Sequence, residues 1–189
     1  MSKEIGAWEQ SIVRLKFKPE IVFMGDSITC ESNFQKAFSE KDIMNIAVVG
    51  YSVRDMLSLV NAVWAASPKK VFIMGGINGL KTHNTTSTAE TFRELTDKIR
   101  ELIPNAEIYI ESVLPVSESK EDYACPNTAI DEYNLYLKAI AEEKGYIYID
   151  INSSFKDERG KLKEEYSRDG IHLKPEAYKV WEEAIKEYI

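Results

Sequence analysis

Short apolar runs alternate with longer segments of helical periodicity along most of the chain. The runs are too short to be buried helices and are bounded by glycine, proline or polar residues, so they predict strands. The sequence of a parallel strand that is covered on both faces is typically such a continuous apolar run. The predicted strands are Ile21 to Met24, Ile43 to Val49, Val71 to Met74, Ile108 to Leu114 and Tyr146 to Ile149.

Apolar residues that recur every three or four positions predict amphipathic helices between and after these strands. The four stripes are Val53 to Trp64, Phe92 to Leu102, Ile130 to Ile140 with Gly145 at its end, and Tyr178 to Tyr188 introduced by Pro175. The first two stripes follow residue pairs at the spacing of a capping box. These pairs are Ser52 with Asp55 and Ser87 with Glu90.

Strands that alternate with helices predict a parallel sheet with helices on both faces. We therefore expect an α/β fold, a three-layer α/β/α domain of the flavodoxin-like type with about five parallel strands. No repeat, low-complexity segment or Gly/Ser/Pro-rich linker divides the sequence, so residues 1–189 are expected to form a single domain. A ligand site is expected beyond the carboxyl ends of the strands.

Composition excludes several functional classes. No apolar run approaches the roughly 20 residues that span a bilayer. A net charge of −7, from 24 Lys and Arg against 31 Asp and Glu, leaves no cationic run to neutralise phosphates, so nucleic acid is not an expected partner.

The first residues lack the apolar core of a signal peptide. We expect a cytoplasmic protein, or a secreted or periplasmic one if a signal peptide has been removed.

Cysteine and histidine are too scarce for a conventional zinc site, because the chain has two of each. Cys30 and Cys125 are expected to be free thiols, and no metal or other cofactor is expected.

Three predicted strands end in polar or glycine-containing segments, which parallel strands bring to one crevice. Gly25 to Thr29 follows the first strand, Gly50 follows the second, and Gly76 to Gly79 follows the third. Each segment alone is also typical of an ordinary turn or helix cap.

Near the end of the sequence, Asp169 and His172 are three residues apart. A hydroxyl nucleophile needs a base, and that base needs an acceptor that fixes its tautomer. On one side of a helical turn, the carboxylate could accept from one ring nitrogen while the other faces Ser27. His83, the other histidine, lies in a polar stretch without a carboxylate at comparable spacing.

Together these motifs resemble the SGNH hydrolase superfamily, which includes the GDSL esterases and lipases. The resemblance implies Ser27 as nucleophile, His172 as general base and then general acid, and Asp169 as its orienting partner. It also implies an oxyanion hole made by the amides of Ser27 and Gly50 and the side chain of Asn78, and it implies no cofactor. The matching blocks are Gly25-Asp26-Ser27, the glycine of Asn45-Ile46-Ala47-Val48-Val49-Gly50, Gly76-Ile77-Asn78 and Asp169-Gly170-Ile171-His172.

One position departs from the family pattern, which commonly has aspartate where this chain has Gly79. We expect the loop that carries Asn78 to be more mobile there and the substrate mouth to be wider. Asp26, Gly79 and Tyr123, the last within the segment Val116 to Asn127, are the candidate substrate contacts.

The leading hypothesis is a serine esterase that hydrolyses small acyl esters through an acyl-enzyme intermediate. Acetyl groups on carbohydrates and acyl chains of lysophospholipids are candidate substrates, and a small-molecule ester is the expected partner. Two alternatives stay open. One is a catalytically silent carbohydrate-binding module of the same fold, and the other is a phosphoryl-transfer protein that uses Asp26 as its acceptor.

Overall fold

The computed structural model describes residues 18–82, 84–117 and 125–189. Five strands form one parallel sheet in the order β2-β1-β3-β4-β5. This order and the helices around the sheet confirm the predicted three-layer, flavodoxin-like architecture. The strands are β1 (Ile21–Gly25), β2 (Ile43–Asn45), β3 (Lys70–Met74), β4 (Glu107–Glu111) and β5 (Ile147–Ile149).

The α-helices within the described residues are mostly short, and two of them reach 18 residues. None is both long and apolar enough to cross a membrane. The stripe predicted as one helix from Val53 to Trp64 is interrupted by a 3-10 turn over Leu57–Leu59. The helices are α1 (Ser27–Cys30), α2 (Phe34–Ala37), α3 (Val53–Met56), α4 (Val60–Ala66), α5 (Ile77–Leu80), α6 (Thr85–Leu102), α7 (Asn127–Lys144), α8 (Asn152–Phe155) and α9 (Tyr178–Ile185).

The second strand is shorter than predicted. It ends at Asn45 rather than Val49, because Asn45 Oδ1 accepts a hydrogen bond from Ala47 N at 3.0 Å and turns the chain. The backbone that follows stays beside β1, where Val48 N donates to Gly25 O at 3.1 Å. The predicted apolar run is therefore part strand and part loop, and the loop remains at the edge of the sheet.

One of the two predicted capping boxes is correct. Ser52 and Asp55 cap α3 reciprocally, since each side chain accepts from the other's backbone amide. The pair Ser87 and Glu90 is wrong, because α6 begins earlier. Asn84 caps that helix by accepting from Ser87 N at 2.7 Å, so Ser87 lies in the first turn rather than before it.

Stacked aromatic rings run across one face of the sheet. Phe23, Phe72 and Tyr109 lie side by side in register on β1, β3 and β4, with ring centroids 4.7 and 4.3 Å apart. Phe34 from α2 covers Phe23, and Trp181 from α9 packs edge-on against Phe34. On the opposite face, α6 packs against α3, α4 and α7. Large aromatic side chains therefore fix the layer that holds α2 and α9 to the sheet.

A carboxyl group is buried within this aromatic layer. Glu111, the last residue of β4, has no exposed surface, and its Oε1 accepts a hydrogen bond from Trp181 Nε1 at 2.7 Å. Its Oε2 finds no partner in the part of the chain that the structure describes. Burial raises the pKa of Glu111 to about 8, although the hydrogen bond from Trp181 opposes this shift. Glu111 is therefore largely protonated at neutral pH.

This raised pKa predicts a stability change with pH that depends on Glu111. The folded state holds its proton up to about pH 8, whereas the unfolded chain releases it near its ordinary pKa of 4.5. The contribution of this group is therefore complete below pH 4.5 and is lost as pH rises through about 8. Glu111→Gln keeps the acceptor for Trp181 and removes the titration.

Thermal melts of both proteins between pH 4 and 9 measure the effect. The midpoint of the wild type, relative to that of Glu111→Gln, should fall as pH rises. A constant difference across this range would contradict the assignment, because groups common to both proteins cancel in the comparison.

Candidate active site

Ser27 is the first residue of α1, directly beyond the carboxyl end of β1. Asp26 caps this helix, because its Oδ1 accepts from Ile28 N at 3.0 Å. The Ser27 side chain is placed at the edge of the sheet with only 7% of the residue exposed. Ser27 N belongs to the first turn, where helix amides have no partner inside the helix, and it donates to no described atom.

Asp26 does not lie where a substrate could reach it. It has no exposed surface, and burial raises the pKa of its carboxyl to about 6. Asp26 therefore acts as a helix cap, and its position does not support the expected substrate contact. The same burial argues against Asp26 as a phosphoryl acceptor, since an acceptor must be open to in-line attack.

Asp169 and His172 form a tight local unit, but the chain bends between them and is not helical as expected. Asp169 Oδ1 accepts from the backbone amides of Ile171 and His172 at 3.0 and 2.8 Å. Asp169 Oδ2 contacts His172 Nδ1 at 2.7 Å. Gly170 permits the bend with a φ of +95°. The three-residue spacing therefore brings the side chains together through a carboxylate-centred turn rather than a helix.

The proton positions in this unit follow from charge. Burial would raise the pKa of Asp169, but the hydrogen bonds from His172 and Ile171 outweigh burial and lower it to about 2. An ionised carboxylate can only accept, so Nδ1 of a neutral His172 must carry the ring proton. Its Nε2 is then free to accept, and it lies 3.0 Å from Ser27 Oγ. The three side chains form a continuous chain from hydroxyl to imidazole to carboxylate.

The loop after β2 brings Gly50 to the same edge of the sheet as Ser27. Its backbone runs beside β1 through the bond from Val48 N to Gly25 O. Gly50 is exposed, with a φ of +80°, and its amide donates to no atom within residues 18–82, 84–117 and 125–189. The role of this amide as an oxyanion donor stays a prediction.

Asn78 lies on α5, beyond the carboxyl end of β3. Its Nδ2 donates to Tyr51 O at 3.0 Å, which ties α5 to the loop after β2. An amide nitrogen carries two hydrogens, so this bond leaves one for another acceptor. Gly76 is required just before this helix, since a Cβ there would lie 2.4 Å from Tyr133 Cε1 at a φ of +150°.

Gly79 differs from its expected setting. It is buried within α5 rather than in an open loop, and an added Cβ would lie 3.1 Å from Thr88 Cγ2. Thr88 Oγ1 already donates to Asn84 O at 3.1 Å. The glycine therefore lets α5 pack closely against α6, and the expectations of a mobile loop, a wider mouth and a substrate contact at Gly79 are not supported.

Two sequence candidates, His83 and Tyr123, lie outside the described residues. Cys30 is exposed and Cys125 is buried, and neither forms a disulfide. No group of three or more His, Cys, Asp or Glu side chains suited to a metal ion occurs in the described ranges.

Sequence reasoning missed two side chains that hold α1. Asn45 Nδ2 donates to Thr29 O at 2.7 Å, and Tyr178 Oη donates to Ile28 O at 2.7 Å. In the sequence, Asn45 has no signal beyond its place in the block that ends at Gly50, and Tyr178 has none beyond its position in an apolar helical stripe. No periodicity signals a hydrogen bond to a distant carbonyl.

The GDSL-like Lipase/Acylhydrolase family matches residues 23–180 of the chain. A GDSL esterase/lipase of Arabidopsis thaliana is 26% identical over 195 residues, which cover 84% of this chain and 80% of that protein.

Solved structures show the same fold. A GDSL-like lipase from Bacteroides thetaiotaomicron superposes with a TM-score of 0.84 at 20% identity, covering 96% of this chain and 94% of that one. An acetylxylan esterase from Geobacillus stearothermophilus superposes with a TM-score of 0.70 at 21% identity, covering 89% and 93%.

The packing of Gly79 generates a prediction about the residue that the family commonly has there. Gly79→Asp places a carboxylate against Thr88, whose hydroxyl proton is already donated to Asn84 O. A buried carboxylate without a donor is costly, so the variant should have a lower melting midpoint at pH 7 than the wild type. Differential scanning calorimetry measures this, with Gly79→Asn as the control, because its side chain has nearly the same shape as that of aspartate but carries no charge. A midpoint as high as that of the wild type would contradict this prediction and show that α6 can move to accommodate the carboxylate.

Proposed function

The chain belongs to the GDSL-like Lipase/Acylhydrolase family and is therefore an ester hydrolase, and we propose that it cleaves small acyl esters through Ser27, His172 and Asp169. The observation that carries this proposal is the contact of 3.0 Å between Ser27 Oγ and His172 Nε2. Asp169 supports it by holding the other ring nitrogen at 2.7 Å. A serine paired with a base that is itself oriented by a carboxylate suits nucleophilic catalysis.

In the first half-reaction, Ser27 Oγ attacks the ester carbonyl while His172 Nε2 takes the hydroxyl proton. The resulting imidazolium forms beside the ionised Asp169, which stabilises its charge. His172 then gives the proton to the departing alcohol, and the acyl group remains on Ser27. In the second half-reaction, water attacks the acyl carbonyl while His172 Nε2 takes one of its protons. His172 then returns this proton to Ser27 Oγ as the acid leaves.

Negative charge develops on the carbonyl oxygen in both half-reactions. The amides of Ser27 and Gly50 and the remaining hydrogen of Asn78 Nδ2 are the proposed donors to this oxyanion. Two of these groups are fixed by the fold before substrate arrives. Ser27 N is held by α1, and Asn78 is anchored to Tyr51 O. Donors that are already oriented need not reorganise during the reaction.

For the substrate class, we propose short acyl groups, with acetyl esters of carbohydrates ahead of lysophospholipids. An acetylxylan esterase shares the fold, which supports the former. A panel of p-nitrophenyl esters of graded acyl length, together with acetylated xylo-oligosaccharides and a lysophospholipid, tests the choice. Preference for the lysophospholipid over acetyl esters would overturn this order without affecting the proposed triad.

Ser27→Ala should abolish nearly all ester hydrolysis and leave the fold intact, because it removes the nucleophile and little else. A fluorophosphonate probe should form one adduct, on Ser27, in the wild type and none in this variant, as read by mass spectrometry. Ser154→Ala, at an exposed position on α8, is the matched control and should keep both activity and labelling.

Activity of Ser27→Ala within tenfold of the wild type would remove Ser27 from the mechanism. Binding of carbohydrate by the wild type with no hydrolysis of any ester on the panel would instead favour the catalytically silent module.

Asn78→Ala should lower kcat by roughly 10²–10³-fold, because its amide is aimed at charge that is complete only in the tetrahedral intermediate. KM should change much less, since the ground-state carbonyl gains little from this donor. Steady-state kinetics on one acetyl ester separates the two constants. An increased KM with an unchanged kcat would place Asn78 against bound substrate and leave the oxyanion to the backbone amides.

A further inference from the structure

The helix that begins with Ser27, α1, is too short to be stable on its own. With four residues, α1 has a single turn, and one turn in isolation does not repay the entropy of fixing its backbone. The position of Ser27 therefore depends on groups outside the helix. Such a group would position the nucleophile without touching the substrate.

Tyr178 is placed to act in this way. Its hydroxyl donates to Ile28 O at 2.7 Å, and Ile28 directly follows Ser27. No other donor reaches Ile28 O within the described residues. Both partners are buried, so water cannot readily replace a lost bond.

Tyr178 and His172 belong to the same C-terminal segment, which meets α1 at successive residues. His172 contacts Ser27 and Tyr178 contacts Ile28. A third link, between Arg168 and Glu31 at 2.6 Å, is largely exposed and so contributes less. The buried bond from Tyr178 therefore constrains how α1 lies against the segment that carries the base.

The ring of Tyr178 is itself fixed. It stacks on Trp181 with centroids 6.1 Å apart and planes inclined by 14°. Trp181 is fully buried and donates to Glu111. Burial raises the pKa of Tyr178, so the hydroxyl keeps its proton and remains a donor at any pH used for assay.

We propose that Tyr178 is a positioning residue for ester hydrolysis, which sets the distance between Ser27 Oγ and His172 Nε2 by holding Ile28 O. This inference rests on the proposed role of Ser27 as nucleophile. The Tyr178 hydroxyl contacts Ile28 O rather than Ser27 Oγ or the His172 ring.

The test is Tyr178→Phe, which removes one oxygen atom and keeps the stacked ring. Because small displacements of a reacting group are costly, kcat on an acetyl ester should fall by roughly tenfold or more, with KM within about twofold. The rate of Ser27 labelling by a fluorophosphonate should fall by a similar factor. The pH at which kcat/KM reaches half of its maximum should stay the same, since the Tyr178 hydroxyl does not titrate at any pH used for assay.

Tyr109→Phe is the matched control. Tyr109 is also buried, and its hydroxyl is hydrogen-bonded to Glu107 at the start of β4, away from Ser27. Its loss should affect the melting midpoint while kcat and the labelling rate stay within about twofold of the wild type. Assays are run well below the melting midpoint of every variant, with folding verified by circular dichroism.

Replacement of Tyr178 by 4-aminophenylalanine provides a rescue, because its amino group restores a donor toward Ile28 O. Its kcat should recover to within a few-fold of the wild type, and this holds as a test even if the phenylalanine variant folds poorly. A folded Tyr178→Phe protein with wild-type kcat and labelling rate would overturn the inference. A folded 4-aminophenylalanine variant whose kcat is roughly tenfold or more below that of the wild type would also overturn it. If the wild type neither hydrolyses esters nor labels at Ser27, the proposed function fails instead.

Discussion

The parallel pairing of β1 with β2 on one side and β3 on the other is the constraint on which the candidate site depends. Strands that run in one direction end at one edge, so the segments after these three strands meet although they are far apart in the chain. The register is set by buried side chains on both faces, with Phe23 and Phe72 on one face and Met24 and Ile73 on the other. A slip by one residue would exchange those faces, so core packing also fixes the edge where Ser27, Gly50 and Asn78 lie.

Elements at this edge are too short to be stable alone, and the structure compensates with side-chain hydrogen bonds to their backbone. Asp26, Asn45 and Tyr178 each bond a different backbone group of α1. Asn78 likewise bonds Tyr51 O in the neighbouring loop. These bonds replace the cooperativity that a long helix would supply. The bond from Tyr178 also makes the geometry of α1 depend on α9.

Three carboxyl groups show how environment sets their state. Asp169 is partly exposed and accepts hydrogen bonds from Ile171 N and from both His172 N and Nδ1, so its pKa falls to about 2. Burial dominates for Asp26 and Glu111, which accept fewer bonds, and raises their pKa to about 6 and about 8. The carboxylate that we propose balances an imidazolium is therefore the one held ionised. The other two serve the packing of α1 and of Trp181.

The sequence by itself determined the architecture through local signals, and it indicated the residues of the candidate site through four short motifs whose roles the family resemblance implies. Apolar runs and stripes predict the alternation of strands and helices, and parallel topology then brings the strand ends together. The short spacing of Asp169 and His172 predicted their pairing, although the turn proved not to be helical. Tertiary structure alone decided which polar groups are buried and which distant carbonyls they bond. The burial of Asp26, the packing of Gly79 against Thr88 and the bond from Tyr178 to Ile28 all arise between elements that no local pattern relates. Periodicity reports which face of an element is covered, but a hydrogen bond depends on the position of its partner in space.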